Sequence, residues 1–157
     1  LKYRNARVTL PFLAAAMAAL VDATAIDVVT WAPTAPSRRR QRGFDQAQLL
    51  ARAVARLLRR PCRSVLHRRP GTPCQTGRTL AELRRAPAFT ARGAVPARVL
   101  LVDDVVTSGA TTSAAAAALR AGGAVAVSVV VAARTPLSHG RTLGEGRSRS
   151  SAGDSQP

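Results

Sequence analysis

The clearest pattern of apolar and polar positions lies in the first half of the chain, where apolar residues recur at the spacing of one helix face. Asp45, followed by Gln48, resembles the polar pair that caps the start of a helix, and Pro61 stops it. We therefore predict an amphipathic helix between these positions, with a buried face made of Ala47, Leu50, Ala51, Val54, Leu57 and Leu58.

Short apolar runs elsewhere predict buried strands. Residues 99–102 are all apolar, which is typical of a strand covered on both faces of a parallel sheet. Residues 26–31 and 125–133 have a similar character, and residues 64–66 fit a brief strand. These runs predict a sheet whose strands are separated by long connections.

Further helical segments alternate with these strands, and we predict them at residues 9–21, 78–85 and 112–121. Thr9 and Pro11 fit the cap and first turn of the first of them, while Gly122 and Gly123 fit the end of the last. The alternation predicts an α/β fold with an open, mainly parallel sheet and helices on both faces.

Length and composition limit this fold to one domain. The chain has 157 residues, which suits a single core, and we place that domain at residues 1–137. Residues 37–42 and 67–77 are expected to be loops, and the Gly, Ser and Arg content of residues 138–157 predicts a disordered tail. The chain begins with Leu1 rather than Met, which leaves open that further residues precede it.

The charge of the chain is strongly positive, at a formal net value of +16 from 24 Lys and Arg against 8 Asp and Glu. Lys2 is the only lysine, so part of this surplus reflects a general bias toward Arg and Ala. Phosphate, pyrophosphate and the nucleic-acid backbone all remain ligands that such a charge favours. Aromatic residues make up 3% of the chain, which argues against a surface that stacks single-stranded bases.

Membrane, metal and disulfide functions find little support in the sequence. No run of about 18 apolar residues is present, so we expect no membrane partner and a cytoplasmic location. Cys62 and Cys74 lack the spacing of a zinc site and are expected to be free thiols. The oligomeric state cannot be read from these patterns.

The candidate chemistry lies directly after the apolar run at residues 99–102. Asp103 and Asp104 arrive at the carboxyl edge of the predicted sheet, where open α/β sheets bind ligands. A turn rich in hydroxyls follows and leads into a helix, so its amides can face an anion, and Gly109 allows a close approach or a positive φ. Because two carboxylates repel a phosphate, they need a donor such as a sugar hydroxyl. We therefore predict a ribose 5-phosphate site.

Residues 99–111, which read VLLVDDVVTSGAT, resemble the signature of type I phosphoribosyltransferases, and in particular that of the ComF family. Supporting matches to ComF are Arg42-Gly43-Phe44 with Gln46, Gln75, Ala88-Phe89 and Lys2-Tyr3. Together they span roughly residues 2 to 135. The resemblance implies the phosphoribosyltransferase fold, with a small flexible hood over the site.

The resemblance also implies a role for each part of the site. Asp103 and Asp104 would hold the ribose 2- and 3-hydroxyls and act in catalysis. The pyrophosphate of phosphoribosyl pyrophosphate (PRPP) would lie near Ala32, Pro33, Arg38 and Arg42, and the hood would carry Arg68, Arg69, Gln75 and Arg78. Mg²⁺ would bind together with PRPP, without direct protein ligands. The 5-phosphate loop would be formed by Val105, Val106, Thr107, Ser108, Gly109, Ala110 and Thr111.

The implied function is that of an enzyme that binds PRPP and transfers its phosphoribosyl group to an unidentified acceptor, a nucleobase being one class, with release of pyrophosphate. Several positions depart from the ComF pattern: Ser108 replaces a Thr, Asp45 replaces an Asn, residues 84–87 lack the usual Asn, and the zinc ribbon that precedes this domain in the family is missing. These departures bear on the acceptor rather than on the phosphoribosyl site.

The alternative function is that of an adaptor in DNA uptake, which ComF proteins are associated with, so a nucleic-acid partner stays open. Such an adaptor would keep the PRPP-binding fold without turnover. A receiver domain is disfavoured because the Asp pair lies too late in the chain and no lysine follows it. Dinucleotide and Walker-type sites are disfavoured because the chain lacks their glycine motifs.

Overall fold

The computed structural model describes residues 2–34, 45–69 and 88–135, with side chains from Thr9 onward. Within these ranges the strands are β1 (Val28–Trp31), β2 (Leu66–Arg68), β3 (Phe89–Ala91), β4 (Arg98–Val106) and β5 (Ala126–Arg134). The helices are α1 (Lys2–Ala19), α2 (Gln46–Leu58) and α3 (Ala110–Ala121). The predicted helix at residues 78–85, the basic loop at residues 37–42 and the tail at residues 138–157 lie outside the described residues.

A parallel sheet forms the centre of the molecule. In the described part of the chain its strands follow the order β1-β4-β5, and both neighbouring pairs are parallel. Val28 lies opposite Val99 and Trp31 opposite Val102, so β1 and the apolar run of β4 end together. The strands β2 and β3 form a separate antiparallel pair.

Two apolar cores lie on the two faces of this sheet. Leu100 and Val102 of β4 pack with α1 and α2 on one face. Val99 and Leu101 face the other way and pack with α3 and with the β2–β3 pair. All four side chains are fully buried, as expected for a strand covered on both faces. The predicted α/β fold with a parallel sheet and helices on both faces is confirmed.

The helix α2 forms where the sequence predicts it. Asp45 caps its first turn by accepting a hydrogen bond from the backbone N–H of Gln48 at 3.4 Å. The helix ends at Leu58, after which Arg59 adopts a left-handed conformation with φ of 54° ahead of Pro61. The two end signals therefore agree with the structure, as does the predicted buried face at Ala47, Leu50, Ala51 and Val54. The prediction is wrong for Leu57, which is 54% exposed in the last turn of the helix, and Leu58 is only partly buried.

The prediction for α1 is wrong at its start. The helix begins at Lys2 rather than at Thr9, and Pro11 lies inside it rather than in its first turn. Pro11 lacks the N–H that would bond to the preceding turn, which disfavours a helix interior. However, Pro11 is exposed, while Ala14 and Met17 are buried against the sheet. Packing of this inner face compensates for the hydrogen bond that Pro11 cannot make.

The predicted strand limits also differ from the observed ones. β1 begins two residues later than predicted, because a single helical turn at Ala23–Ala25, capped by Asp22, precedes it. The brief strand predicted at residues 64–66 is instead Leu66–Arg68, so two residues assigned to a mobile loop pair with β3. That pairing joins segments far apart in the sequence, which local patterns do not reveal.

None of the helices within the described ranges combines the length and the apolar character needed to cross a bilayer.

The contact between α3 and β3 can be tested at Gly122. A Cβ at this position would lie 2.5 Å from the Cβ of Ala91 and 2.7 Å from Cγ2 of Val95. We predict that Gly122→Ala lowers the free energy of unfolding by about 1–3 kcal/mol through overpacking, measured by urea denaturation. Replacing Gly by Ala without such a clash usually stabilises a protein. A variant as stable as the wild type would therefore contradict this packing.

Candidate functional site

The candidate site lies at the carboxyl edge of the sheet, where β1 and the apolar part of β4 end in register. Trp31 pairs with Val102, so Ala32 and Asp103 are the next residues on adjacent strands. Both are nearly inaccessible, with exposed fractions of 4% for Ala32 and 7% for Asp103. The structure therefore brings the predicted pyrophosphate segment and the predicted ribose-binding acids to the same edge.

Asp103 and Asp104 belong to β4 rather than to the turn that the sequence predicts after residue 102. The strand continues to Val106 because Asp103, Val105 and Val106 keep pairing with β5. Side chains alternate along a strand, so Asp103 shares the face of Leu101 and Asp104 the face of Val102. Oδ1 of Asp103 accepts a hydrogen bond from the N–H of Asp104 at 2.9 Å, and Oδ1 of Asp104 accepts one from Val105 at 2.9 Å.

A small cradle lies between the end of β4 and the start of α3. Gly109 is the N-cap of α3 with φ of 77°, so the positive φ anticipated there is present. The carbonyl of Gly109 accepts hydrogen bonds of 2.9 Å from the backbone N–H of Ser113 and from Oγ1 of Thr112. The cavity of about 30 Å³ is lined by Asp103, Val105, Val106, Thr107, Ser108, Gly109, Ala110, Thr111 and Thr112.

The geometry of this cradle suits an anion. The first amides of a helix lack carbonyl partners within the helix and carry its positive dipole end. Ala110, Thr111 and Thr112 of this first turn line a cavity of about 30 Å³, which has room for roughly two water molecules. Asp103 lines the cavity, whereas Asp104, on the opposite face of the strand, does not.

Asp103 is electrostatically unusual. Its pKa is raised from the usual value of 3.8 to about 6, and burial is the largest cause. The charges of Asp104 and Asp45 contribute to this rise, while the hydrogen bond from the N–H of Asp104 opposes it. A ligand that brings hydroxyl donors or positive charge to Asp103 would stabilise the charged form of this carboxyl and so lower its pKa.

The chain that leaves β1 is held by side chains from two other elements. Asp45, which is 5% exposed, accepts hydrogen bonds from the backbone N–H and the hydroxyl of Thr34, each at 3.0 Å. Nη1 of Arg68 donates to the carbonyl oxygen of Pro33 at 3.3 Å, and its guanidinium lies 5.6 Å from the ring centroid of Phe89. The sequence indicated Asp45 as a helix cap but not its contact with Thr34, for which no local signal exists.

The remaining predicted site residues have different outcomes. Arg38, Arg42, Gln75 and Arg78 lie outside the described residues. Arg69 is exposed, and its backbone N–H donates to the carbonyl of Ala88. Among the residues that the structure describes, no three His, Cys, Asp or Glu side chains form a metal-binding group.

Cys62 is a free, half-buried thiol away from this edge, and its burial raises its pKa. Cys74, the second cysteine, lies outside the described ranges.

The fold is similar to those of solved phosphoribosyltransferases. An allosteric regulatory enzyme of purine biosynthesis matches 81% of this chain with 27% identity and a TM-score of 0.55. The glutamine PRPP amidotransferase from B. subtilis, complexed with ADP and GMP, matches 81% with 28% identity and a TM-score of 0.55. The purine phosphoribosyltransferase from Pyrococcus horikoshii Ot3 matches 86% with 14% identity and a TM-score of 0.50.

The extent of these matches differs. The present chain spans about a quarter of the length of the first two enzymes, 25% and 26%, but 83% of the third. No protein-family model and no curated protein sequence matches the chain. The fold is therefore that of the type I phosphoribosyltransferases.

The raised pKa of Asp103 leads to a prediction about stability and pH. Between about pH 4 and pH 6 the folded protein binds a proton at Asp103 that the unfolded chain does not, so this group lowers stability as the pH rises through that window. At pH 7.5, we predict that Asp103→Asn is about 1–2 kcal/mol more stable than the wild type, less than the full shift implies because the Asn amide leaves another polar group in the same buried position.

Urea denaturation of both proteins at pH 5 and pH 7.5 measures this difference. The gain of Asp103→Asn should be smaller at pH 5 than at pH 7.5, since the wild-type carboxyl is then largely protonated. A gain that is the same at both values, or a loss at pH 7.5, would show that Asp103 is not a strained carboxylate.

Proposed function

We propose that the protein binds PRPP at the carboxyl edge of its sheet and transfers the phosphoribosyl group to an acceptor, with release of pyrophosphate. One observation carries this proposal: the buried carboxylate of Asp103 and the glycine turn before α3 line the same small cavity. A site that can bind an anion and that lies beside the Asp103 carboxylate suits a ligand that has both a phosphate group and hydroxyl donors. The similarity to solved phosphoribosyltransferases supports the same conclusion.

The 5-phosphate of the ligand would occupy the cradle between β4 and α3. Its oxygens would accept hydrogen bonds from the first amides of α3 and from the hydroxyls of Thr107, Ser108 and Thr111. Gly109 allows the backbone to turn into the helix with a positive φ, which a residue with a side chain adopts only with strain. Val105 and Val106 lie at the end of β4 and shape the wall of the cradle.

The ribose would lie over the end of β4. Asp103 would accept a hydrogen bond from one ring hydroxyl, and Asp104, on the other face of the strand end, from its neighbour. Loss of pyrophosphate from the anomeric carbon builds positive charge on the sugar, as in glycoside hydrolysis. Two fixed carboxylates near that charge stabilise it more than they stabilise the neutral ground state, which is the condition for catalysis.

The pyrophosphate would extend toward the end of β1, near Ala32 and Pro33, and Arg38 and Arg42 remain candidates to bind it. Mg²⁺ fits the chemistry of this edge, because the ion keeps several of its waters in protein sites and the carboxylates of Asp103 and Asp104 can accept hydrogen bonds from those waters without being direct ligands. When bound with PRPP, the ion would neutralise charge on the leaving pyrophosphate. The chain itself would orient the ribose and exclude water from the anomeric carbon.

None of the residues that the structure describes at this edge identifies the acceptor. A screen of nucleobases and amines for magnesium-dependent release of pyrophosphate from PRPP would identify it. Release without any added acceptor would indicate hydrolysis instead of transfer.

The ligand itself is tested by calorimetry. We predict that Asp103→Asn combined with Asp104→Asn weakens the affinity for PRPP in the presence of Mg²⁺ by at least about tenfold, because two charge-assisted hydrogen bonds to the ribose are lost. The double variant Asp22→Asn with Asp27→Asn is the matched control, since it removes two carboxylates near the opposite edge of the sheet. Unchanged PRPP binding in the first variant would refute the site.

A nucleic-acid adaptor is the second candidate function, and the outer face of α2 favours it. Arg52 and Arg56 are exposed and lie four residues apart, which places them on one face of the helix, and the exposed Arg59 follows directly after its last residue. We call these three residues the arginine stripe. Within the described ranges, the side-chain ion pair joins Arg98 to Asp27 and involves none of these three arginines. Arg52 also lowers the pKa of the Cys62 thiol electrostatically, and the exposed Arg63 is the next residue along the chain.

This candidate predicts DNA binding that depends on salt. Replacing Arg52 and Arg56 with Gln should reduce the slope of log affinity against log salt by about 2 units, one for each lost phosphate contact. Fluorescence anisotropy with a labelled oligonucleotide measures the slope, and Arg92→Gln with Arg120→Gln is the control. Equal losses in both double variants would show general attraction by net charge and not a defined surface.

A further inference from the structure

The short segment Ala32-Pro33-Thr34 connects β1 to the candidate site, and its polar groups are bonded to protein. Both the N–H and the hydroxyl of Thr34 donate to the carboxylate of Asp45. Two hydrogen bonds to the two oxygens of one buried carboxylate fix the orientation of Thr34 as well as its position. Asp45 is itself fixed, since it caps α2, whose apolar face is packed against the sheet.

A second contact holds the same segment from the opposite face. Arg68 belongs to β2, which packs with α3 on the face of the sheet opposite to α2. Its guanidinium lies over the ring of Phe89 and donates to the carbonyl of Pro33. Packing of a planar guanidinium on an aromatic ring restricts its position, so the donated bond fixes Pro33.

These contacts bear on one end of the proposed ligand. The cradle for the 5-phosphate lies between β4 and α3, whereas Ala32 lies on the neighbouring strand, next to Asp103. A ligand with its phosphate in the cradle and its ribose over Asp103 has room to extend its other end along the sheet edge toward Ala32. The segment held by Asp45 and Arg68 borders the side toward β1.

We infer that Asp45 and Arg68 are positioning residues that hold Ala32-Pro33-Thr34 from the two faces of the sheet and so set the affinity of the site for the pyrophosphate end of its ligand. This inference rests on the proposed function. Neither residue needs to touch the ligand. A shift of about 1 Å in a positioning group is enough to weaken binding or catalysis strongly.

Asp45 stands where the ComF pattern has Asn, and a comparison of these two side chains separates the effect of the hydrogen bonds to Thr34 from the effect of the charge. An Asn at this position offers one carbonyl oxygen for the N–H of Thr34 and an amide that can donate to the Thr34 hydroxyl. It would lose the weaker bond to Gln48, which is 3.4 Å long. Asp45→Asn therefore keeps the two hydrogen bonds to Thr34 but removes the negative charge, whereas Asp45→Ala removes both the bonds and the charge.

The test compares two ligands that each occupy one end of the site. Binding of inorganic pyrophosphate with Mg²⁺ and binding of ribose 5-phosphate are measured separately by calorimetry on the full chain. We predict that Asp45→Ala and Arg68→Ala weaken pyrophosphate binding by about tenfold while ribose 5-phosphate affinity changes by less than about twofold. Asp45→Asn should stay close to the wild type for both ligands, and Arg92→Ala serves as an exposed control.

The outcomes separate this role from the proposed function. A wild-type protein that binds neither ligand overturns both. If the wild type binds both ligands and the two Ala variants still bind pyrophosphate normally, the positioning role alone is overturned. Equal weakening of both ligands would also overturn it, because that result indicates general damage to the fold. Thr34→Val, which removes only one bond, provides the same test if Asp45→Ala fails to fold.

Discussion

The parallel pairing of β4 between β1 and β5 is the constraint on which the rest of the structure depends. β4 is covered on both faces, so Val99, Leu100, Leu101 and Val102 are all fully buried and a slip of one residue would exchange the two cores. That fixed register places Asp103 beside Ala32 and directs the chain into the glycine turn that opens α3. The candidate site is thus a consequence of how the core packs.

The fold holds one carboxylate of the site, Asp103, in a position that is electrostatically unfavourable for its charged form. Asp103 is held in a buried position near two other carboxylates, Asp104 and Asp45, and its pKa rises as a result. A protein selected for stability alone would have no use for this carboxylate, whereas an enzyme that must stabilise a developing positive charge does. The bonds of Asp45 to Thr34 add a structural use for the second of these acids.

The sequence predicts most of the architecture that bears on the site. The apolar run before Asp103 locates the central strand, the 3.6-residue period locates α2, and Gly109 marks the turn into α3, because each of these signals is local. The misplaced features depend on contacts distant in sequence. β4 extends to Val106 only because β5 continues beside it, and β2 includes His67 and Arg68 only because β3 pairs with them. Similarly, the contacts of Asp45 with Thr34 and of Arg68 with Pro33 span 11 and 35 residues.

The central claim is that the turn between β4 and α3 binds the phosphate of a ribose phosphate while Asp103 binds its sugar. Backbone amide chemical shifts recorded during a titration with ribose 5-phosphate test it most directly. We predict saturable shifts concentrated in residues 103–112, with little change at the arginine stripe of α2. Shifts that are absent there, or that follow the exposed arginines instead, would contradict it.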